Sequence, residues 1–321
     1  MTVAEKPVVL LWLNEPAPYR EALQDAGLAD RVDLHTLRMD ATPSPELLER
    51  CEAMLAWRAG AGILPRMPRL RWIQAQTGGV EGWLALPDLP GKIMLTCARG
   101  THRVQMSENI LGALFHLTKP YAAITADQRE RRWTRRISEV LAGTTLGILG
   151  LGAIGHEVAR KAAVLEMRVI GARRSGGRVA GVGQVYPPEQ ADEVLKASDF
   201  VLLLLPSTAE TRGYMNARRL RLMKPTAYLL NFGRGDLVVD QDLVEAAKAG
   251  TIAGAVLDVY TTEPLPSDHP FWVTPGITVL PHIGGLHPER DRIVAGLWIE
   301  NLRRFLGGRS LLQVVDRARG Y

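Results

Sequence analysis

Cysteine is scarce in this sequence. Cys51 and Cys97 are the only two in 321 residues, too few for a disulfide framework and in no metal-ligand spacing. They read as reduced core thiols of a cytoplasmic protein. Long apolar runs are also missing: none approaches the roughly 20 residues that a membrane-spanning helix needs. The first apolar stretch, 8–13, is strand-sized and no small-residue cleavage site follows it, so it does not read as a signal peptide. Solenoid-length repeats and low-complexity tracts are absent. Zinc-finger spacing and RNA-binding signatures are absent too. That last absence bears on the net charge of +5, which comes mostly from arginine. The densest cluster, Arg129, Arg131, Arg132, Arg135 and Arg136, reads as a solvated basic stretch after a long helix and not as a nucleic-acid patch. A modest positive field suits a protein that draws in small anionic ligands.

What is present is a two-domain α/β pattern. The length suggests about two domains. Strand-like runs at 8–13, 32–37, 53–57, 72–76 and 93–97 alternate with short helical segments such as 19–26 and 46–51, with Pro and Gly at the joins. From 102 to 117 the apolar residues Val104, Met106, Ile110, Leu111, Leu114 and Leu117 recur at helical spacing. Helix is expected to continue to about Trp133 as a connector. A second series of strands follows at 146–149, 168–172, 200–205, 228–231, 255–258 and 278–280, then a last helix over about 289–306. Runs such as 201–205 are apolar on both faces, as in central parallel strands covered by helices on each side.

One glycine motif sits in the setting that gives it meaning. The strand 146–149 leads into Gly150-Leu151-Gly152-Ala153-Ile154-Gly155 and then a helix expected over about 156–165. In a dinucleotide site the first glycine of G-x-G-x-x-G permits the tight turn, the second admits a pyrophosphate against the backbone, and the third lets helix pack on strand. The helix N-terminus supplies unpaired N–H groups. The next strand ends Ala172-Arg173-Arg174-Ser175, with no carboxylate to accept from a ribose 2′-hydroxyl. Two guanidiniums and a hydroxyl suit a 2′-phosphate instead. NADP(H) is therefore the expected cofactor, with NAD(H) the alternative.

Three further segments end an apolar strand in a polar loop. They are Leu229-Leu230-Asn231-Phe232-Gly233-Arg234-Gly235, Val256-Leu257-Asp258-Val259-Tyr260-Thr261-Thr262-Glu263-Pro264 and Val279-Leu280-Pro281-His282-Ile283-Gly284-Gly285. In an open α/β sheet such loops face the ligand crevice, which brings a cation, an acid and an imidazole toward the nicotinamide. Hydride transfer to a carbonyl creates an alkoxide, so a proton donor and a fixed cation are what that chemistry needs.

With these motifs the sequence resembles the D-isomer-specific 2-hydroxyacid dehydrogenase family. GLGAIG, LLPSTAETRG at 204–213, NFGRG, LDVYTTEPLP and LPHIGG stand in the family's order and cover about residues 100–290. The ending Val315-Asp316-Arg317-Ala318-Arg319-Gly320-Tyr321 is similar to the glyoxylate/hydroxypyruvate reductase branch. The resemblance implies that Arg234 binds the substrate carboxylate and polarises the keto oxygen. It makes His282 the general acid and Glu263 the partner that orients the imidazole and favours its protonated form. It also implies cofactor contacts at Met106, Leu205, Pro206, Thr211, Phe232, Gly233, Asp258 and Gly284, beside the glycine motif. Asn231 is either a cofactor contact or a structural residue. Gln76-Thr77-Gly78-Gly79-Val80 matches a carboxylate-holding loop, with Gly79 and Val80 as the donors, while Trp57 and Arg58 wall the pocket or belong to ordinary packing.

Two departures from the family pattern stand out. The strand-two carboxylate is missing, and His282 is followed by Ile283-Gly284-Gly285-Leu286-His287-Pro288 where Gly-Ser/Ala-Ala-Thr is commoner. His287 reads as a helix-entry residue. The implied fold is two Rossmann-like doubly wound parallel-sheet domains with a cleft between them: a flavodoxin-like substrate domain over 1–100 and 288–321, and a dinucleotide-binding domain over 101–287. The implied assembly is a homodimer involving the connector helix and Trp133, and the implied partner is a small 2-keto or 2-hydroxy acid, with no nucleic acid and no membrane. Two rivals remain: an NAD-linked dehydrogenase of lactate-like or larger hydroxy acids, and a nucleotide-sensing binding protein without turnover.

Overall fold

The computed structural model describes residues 5–321. Two compact units account for them: the described residues up to Thr101 with His287–Tyr321, and His102–Leu286. The first unit opens with β1 (Val8–Trp12), α1 (Ala17–Asp25), β2 (Asp33–Leu37), α2 (Pro45–Arg50) and β3 (Cys51–Ala56). It continues with β4 (Trp72–Ala75), the short α3 (Glu81–Leu84) and β5 (Met94–Thr96). All strand pairs are parallel, in the order β2-β1-β3-β4-β5, the flavodoxin-like arrangement. Because side chains alternate across a strand, Val8, Leu10 and Trp12 enter one buried cluster while Val9 and Leu11 enter the other. The turn before α2 shows how locally the boundaries are set. Ser44 Oγ accepts from Leu47 N–H at 3.3 Å and Pro45 takes the first helical position, where a missing N–H costs nothing.

The second unit begins with α4 (Arg103–Thr118), α5 (Tyr121–Arg129), β6 (Thr145–Leu149), α6 (Ala153–Val164), β7 (Arg168–Ala172) and β8 (Gln184–Tyr186). Then come α7 (Ala191–Ala197), β9 (Phe200–Leu203), the short α8 (Ala217–Leu220), β10 (Tyr228–Asn231), α9 (Asp240–Lys248), β11 (Gly254–Leu257) and β12 (Ile277–Val279). Their seven-stranded parallel sheet has the order β12-β11-β10-β9-β6-β7-β8. It reverses direction between β6 and β9, the switch point at which open α/β sheets bind ligands. Val201, Leu203, Leu229 and Ala255 fill one face of the sheet, and Leu202, Leu230 and Val256 fill the other. Finally α10 (Arg290–Leu306) returns to the first unit and packs on α1, with Tyr19 edge-on to Trp298 at 6.1 Å.

The connector is not one long helix to Trp133. It breaks at Lys119-Pro120, where proline pushes the preceding residue out of the helical region (Lys119 φ −112, ψ 131). α5 then stops at Arg129, and Arg131 turns back at φ 55. The return lets Arg132 and Arg136 grip the buried Asp127 at 3.0 and 2.7 Å, and hydrogen bonds from Arg136 and Arg132 hold its carboxyl below the usual range. α6 starts earlier than expected, at Ala153, directly on the glycine loop. The edge strand β8 and the helices α7, α8 and α9 were not picked out from sequence, being segments of only three to nine residues. Among the described residues no helix is long and apolar enough to cross a membrane.

Asn301, fully buried on α10, ties the chain's last segment to the sheet. Its Nδ2 donates to Gln74 Oε1 (3.0 Å) and Leu312 O (3.1 Å), and its Oδ1 accepts from Leu312 N–H (2.7 Å). Asn301→Leu removes three hydrogen bonds at a fully buried position, leaving Gln74 Oε1 with the Thr96 hydroxyl (2.8 Å) and the half-buried Leu312 backbone without its partner, so it should destabilise the first unit by about 2–4 kcal/mol. Urea unfolding checks this, and a loss below about 1 kcal/mol would refute it.

Candidate active site

The glycine loop has the shape a dinucleotide needs. Gly150 lies at φ +109, and a side chain there would meet the Leu204 carbonyl carbon at 2.7 Å. Strand β6 can therefore turn under β9 only with glycine at this point. A Cβ at Gly152, by contrast, would meet nothing within 4 Å. The loop backbone is bare on that side, at the N-terminus of a twelve-residue helix, an arrangement with room and N–H groups for a pyrophosphate. Ala153, Ile154 and Gly155 form its first turn.

At the end of β7 the structure separates the three phosphate candidates. Arg173 is half-buried and oriented: its Nε donates to Gly176 O, and NH1 lies 3.2 Å from His156 Nε2. Arg174 is exposed and pairs with Glu210 at 3.2 Å, and Ser175 is exposed. His156, on the first turn of α6, was not singled out from sequence; its nearness to Arg173 depends on how α6 packs against β7. Past β9, Thr211 Oγ1 donates to Pro206 O at 2.6 Å, so these two predicted residues define one turn next to Leu205.

The reactive groups stand on three neighbouring strands. β10, β11 and β12 pair in parallel with Asn231 opposite Leu257 and Leu257 opposite Val279, so their carboxyl-end loops emerge side by side. Asn231 proves structural: its side chain donates to Arg234 O (2.8 Å) and accepts from Gly233 N–H (3.1 Å), closing the turn that presents Arg234. Gly235 lets that turn press on the next loop, for a Cβ there would lie 1.9 Å from the Tyr260 carbonyl carbon.

Glu263 is held at both oxygens. Oε1 accepts from Tyr260 N–H at 2.9 Å and Oε2 lies 2.7 Å from His282 Nδ1. With Nδ1–H committed to the carboxylate, Nε2 is the ring nitrogen left to carry a transferable proton. Tyr260 was missed as a separate residue. Its hydroxyl donates to Leu257 O (2.7 Å) and Leu280 O (3.0 Å), joining the ends of β11 and β12, and burial pushes the phenol well above its ordinary pKa.

Asp258, expected at the cofactor, engages protein first. Its buried carboxylate accepts from Ile283 N–H (2.8 Å) and Gly284 N–H (2.9 Å), and desolvation pushes its pKa above the ordinary value. Phe232 and Met106 pack against Gly284, each close to where a Cβ would stand. In the first unit Trp57 is 44% exposed beyond β3 beneath the Arg290 guanidinium (5.2 Å), and Arg58 is exposed. Thr77 Oγ1 donates to Gly79 O at 2.7 Å, and Val80 is buried in the core. His287 O accepts from Arg290 N–H at the entry to α10, as its position before Pro288 suggested.

Comparison with known proteins agrees with this geometry. Residues 111–284 match the model of the D-isomer specific 2-hydroxyacid dehydrogenase NAD-binding domain. The chain belongs to the D-isomer-specific 2-hydroxyacid dehydrogenase family. It is an oxidoreductase with a nicotinamide cofactor. A glyoxylate/hydroxypyruvate reductase A of Serratia proteamaculans is 32% identical over 276 residues, 83% of this chain and 87% of that protein. A family dehydrogenase of Xanthobacter autotrophicus, solved with NADPH and MES, superposes with a TM-score of 0.87 at 29% identity, covering 99% of this chain and 100% of that one. The NADPH-dependent glyoxylate/hydroxypyruvate reductase of Sinorhizobium meliloti, solved with NADP and sulfate, gives 0.83 at 29% identity with the same coverage.

The Glu263–His282 pair generates a test. Glu263→Gln keeps the shape but replaces the carboxylate that fixes the His282 ring with a neutral amide. kcat for keto-acid reduction should fall at least about 10-fold while keto-acid KM stays within about 3-fold. Steady-state kinetics decide it: a kcat within about 2-fold of wild type would remove Glu263 from the orienting role.

Proposed function

We propose that this enzyme reduces a small 2-keto acid of the glyoxylate or hydroxypyruvate type to the D-2-hydroxy acid, with NADPH as the preferred reductant. The observation that carries the reading is the Glu263–His282 pair at 2.7 Å, one strand away from Arg234. When bound, the cofactor supplies a hydride to the keto carbon. Arg234 binds the substrate carboxylate and stabilises negative charge gathering on the keto oxygen. His282 Nε2 delivers the proton that turns this oxygen into the hydroxyl, and Glu263 keeps the ring in the donating orientation.

The loop from Gly150 to Gly155 and the start of α6 hold the pyrophosphate, with Pro206, Thr211, Phe232, Gly233 and Gly284 near the remainder of the cofactor. Arg173 takes the 2′-phosphate, supported by Arg174 and Ser175; the half-buried Arg173 where other members carry a carboxylate is what favours NADPH. Substrate contacts in the first unit, at Trp57, Arg58, Gly79 and Val80, belong to the same proposal. The buried free thiols Cys51 and Cys97 fit a reducing cytoplasm.

Steady-state kinetics with glyoxylate, hydroxypyruvate, pyruvate and phenylpyruvate test the reading. kcat/KM should be at least about 10-fold higher with NADPH than NADH, since one charge-assisted phosphate contact contributes about 1.5–3 kcal/mol. Glyoxylate or hydroxypyruvate should lead the panel. Equal use of NADH, or a preference for phenylpyruvate, would favour the NAD-linked rival; cofactor binding without turnover would favour a sensor.

The assembly proposed is a homodimer through the segment after α5. Trp133 is 93% and Ile137 90% exposed there, beside the exposed Val140, an apolar surface that water opposes. Light scattering should give twice the chain mass for the wild type and the chain mass for Trp133→Glu/Ile137→Asp. A monomeric wild type would reject the dimer.

A further inference from the structure

The 283–285 loop that follows His282 is the last stretch of the second unit, and α4 is its first element. Along one stripe of α4, His102, Met106 and Asn109 follow at i, i+4 and i+7. All three meet that loop. A Cβ on Gly285 would stand 3.2 Å from the His102 ring, and one on Gly284 would stand 2.9 Å from Met106 Sδ. Further along the helix, His116 Nε2 lies 3.3 Å from Thr278 Oγ1 on β12.

Asn109 does more than pack. Its Nδ2 donates to the carbonyl oxygens of both Ile283 (3.1 Å) and Gly284 (3.0 Å). The N–H groups of those same two residues are taken by Asp258. The peptide between Ile283 and Gly284 is thus gripped on both edges, from α4 on one side and the end of β11 on the other, while Asp258 also holds the N–H before it and Asn109 the carbonyl after it. The residue just before them is His282 at φ 53, a left-handed conformation that a non-glycine residue keeps only where its surroundings over-determine it.

We propose that Asn109 is a positioning residue for the reaction, fixing the 283–284 peptide and the carbonyl that follows it so that His282 holds its bond to Glu263 with Nε2 aimed for proton delivery. The inference rests on His282 being the proton donor. With the amide gone, Asp258 still holds the loop by its N–H edge and Leu286 N–H still meets Ile283 O at 3.0 Å, but the Gly284 carbonyl loses its donor and the peptide that follows Gly284 can rotate. The imidazole then leaves the carboxylate for part of the time. No contact to either ligand is required of Asn109, and its position on α4 is half-buried.

The test uses the full-length enzyme and the Asn109→Leu variant, which fills similar space without donors. Because a displacement of about 1 Å can cost about 100-fold, kcat should fall about 10- to 100-fold while keto-acid KM and the cofactor Kd stay within about 3-fold. Hydrogen exchange at the amides of Ile283 and Gly284 should accelerate at least about 10-fold, a readout independent of turnover. A kcat within about 2-fold of wild type, a loss that falls on KM and not on kcat, or a loss with unchanged exchange would overturn the role. His282→Ala is measured in parallel. If that variant keeps its activity, the general-acid assignment falls and the positioning role falls with it, and the cause is legible because the result is read in that variant alone.

Discussion

Parallel pairing of β10, β11 and β12 is the constraint from which the site follows. Parallel strands end at the same edge, so loops far apart in sequence emerge as neighbours without any contact having to be made between them first. Arg234, Glu263 and His282 are each carried just beyond one of these ends. The sheet in turn depends on its alternating apolar faces, Leu202, Leu230 and Val256 on one side and Val201, Leu229 and Ala255 on the other, because a slip of one residue would turn every one of them the wrong way.

Alignment of strands alone would leave the loops loose. What stiffens them is a set of polar groups that spend their hydrogen bonds on backbone: Asn231 on the Arg234 turn, Tyr260 across the ends of β11 and β12, Asp258 and Asn109 on the segment after His282. Burying Asp258 is unfavourable by itself, as the direction of its pKa shows, and two backbone N–H groups offset that cost. The result is a His282 side chain held at Glu263, and a backbone held after it, before any ligand arrives. Hydride and proton transfer both reward such preorganisation.

The cofactor end follows a different logic. Gly150 must be glycine because the Leu204 backbone lies where a side chain would be, and Gly152 is glycine at a place the protein itself leaves open. The first is a demand of the fold and the second is room for a ligand. Arg173 reaches the same region from the end of β7, while its sequence neighbour Arg174 is drawn off to Glu210. Two adjacent arginines therefore have unequal claims on a phosphate.

The sequence by itself determined the alternation of strands and helices, the glycine turn, the missing strand-two carboxylate and the strand-end loops that carry Arg234, Glu263 and His282. Each of these is written in local pattern: strand periodicity, glycine spacing, or a short motif at a strand's end. The stop of the connector helix at Lys119 is local too, for Pro120 restricts the residue before it, and the expectation of helix to Trp133 overlooked that signal. The sequence did not separate Arg173 from Arg174, or show that Asn231 and Asp258 turn toward the backbone and that Asn109 joins them. Those assignments depend on which carbonyls and N–H groups come within about 3 Å once β11, β12 and α4 are packed. A hydrogen bond is fixed by distance and direction in space, and residues 109 and 283 acquire both only when the chain between them has folded.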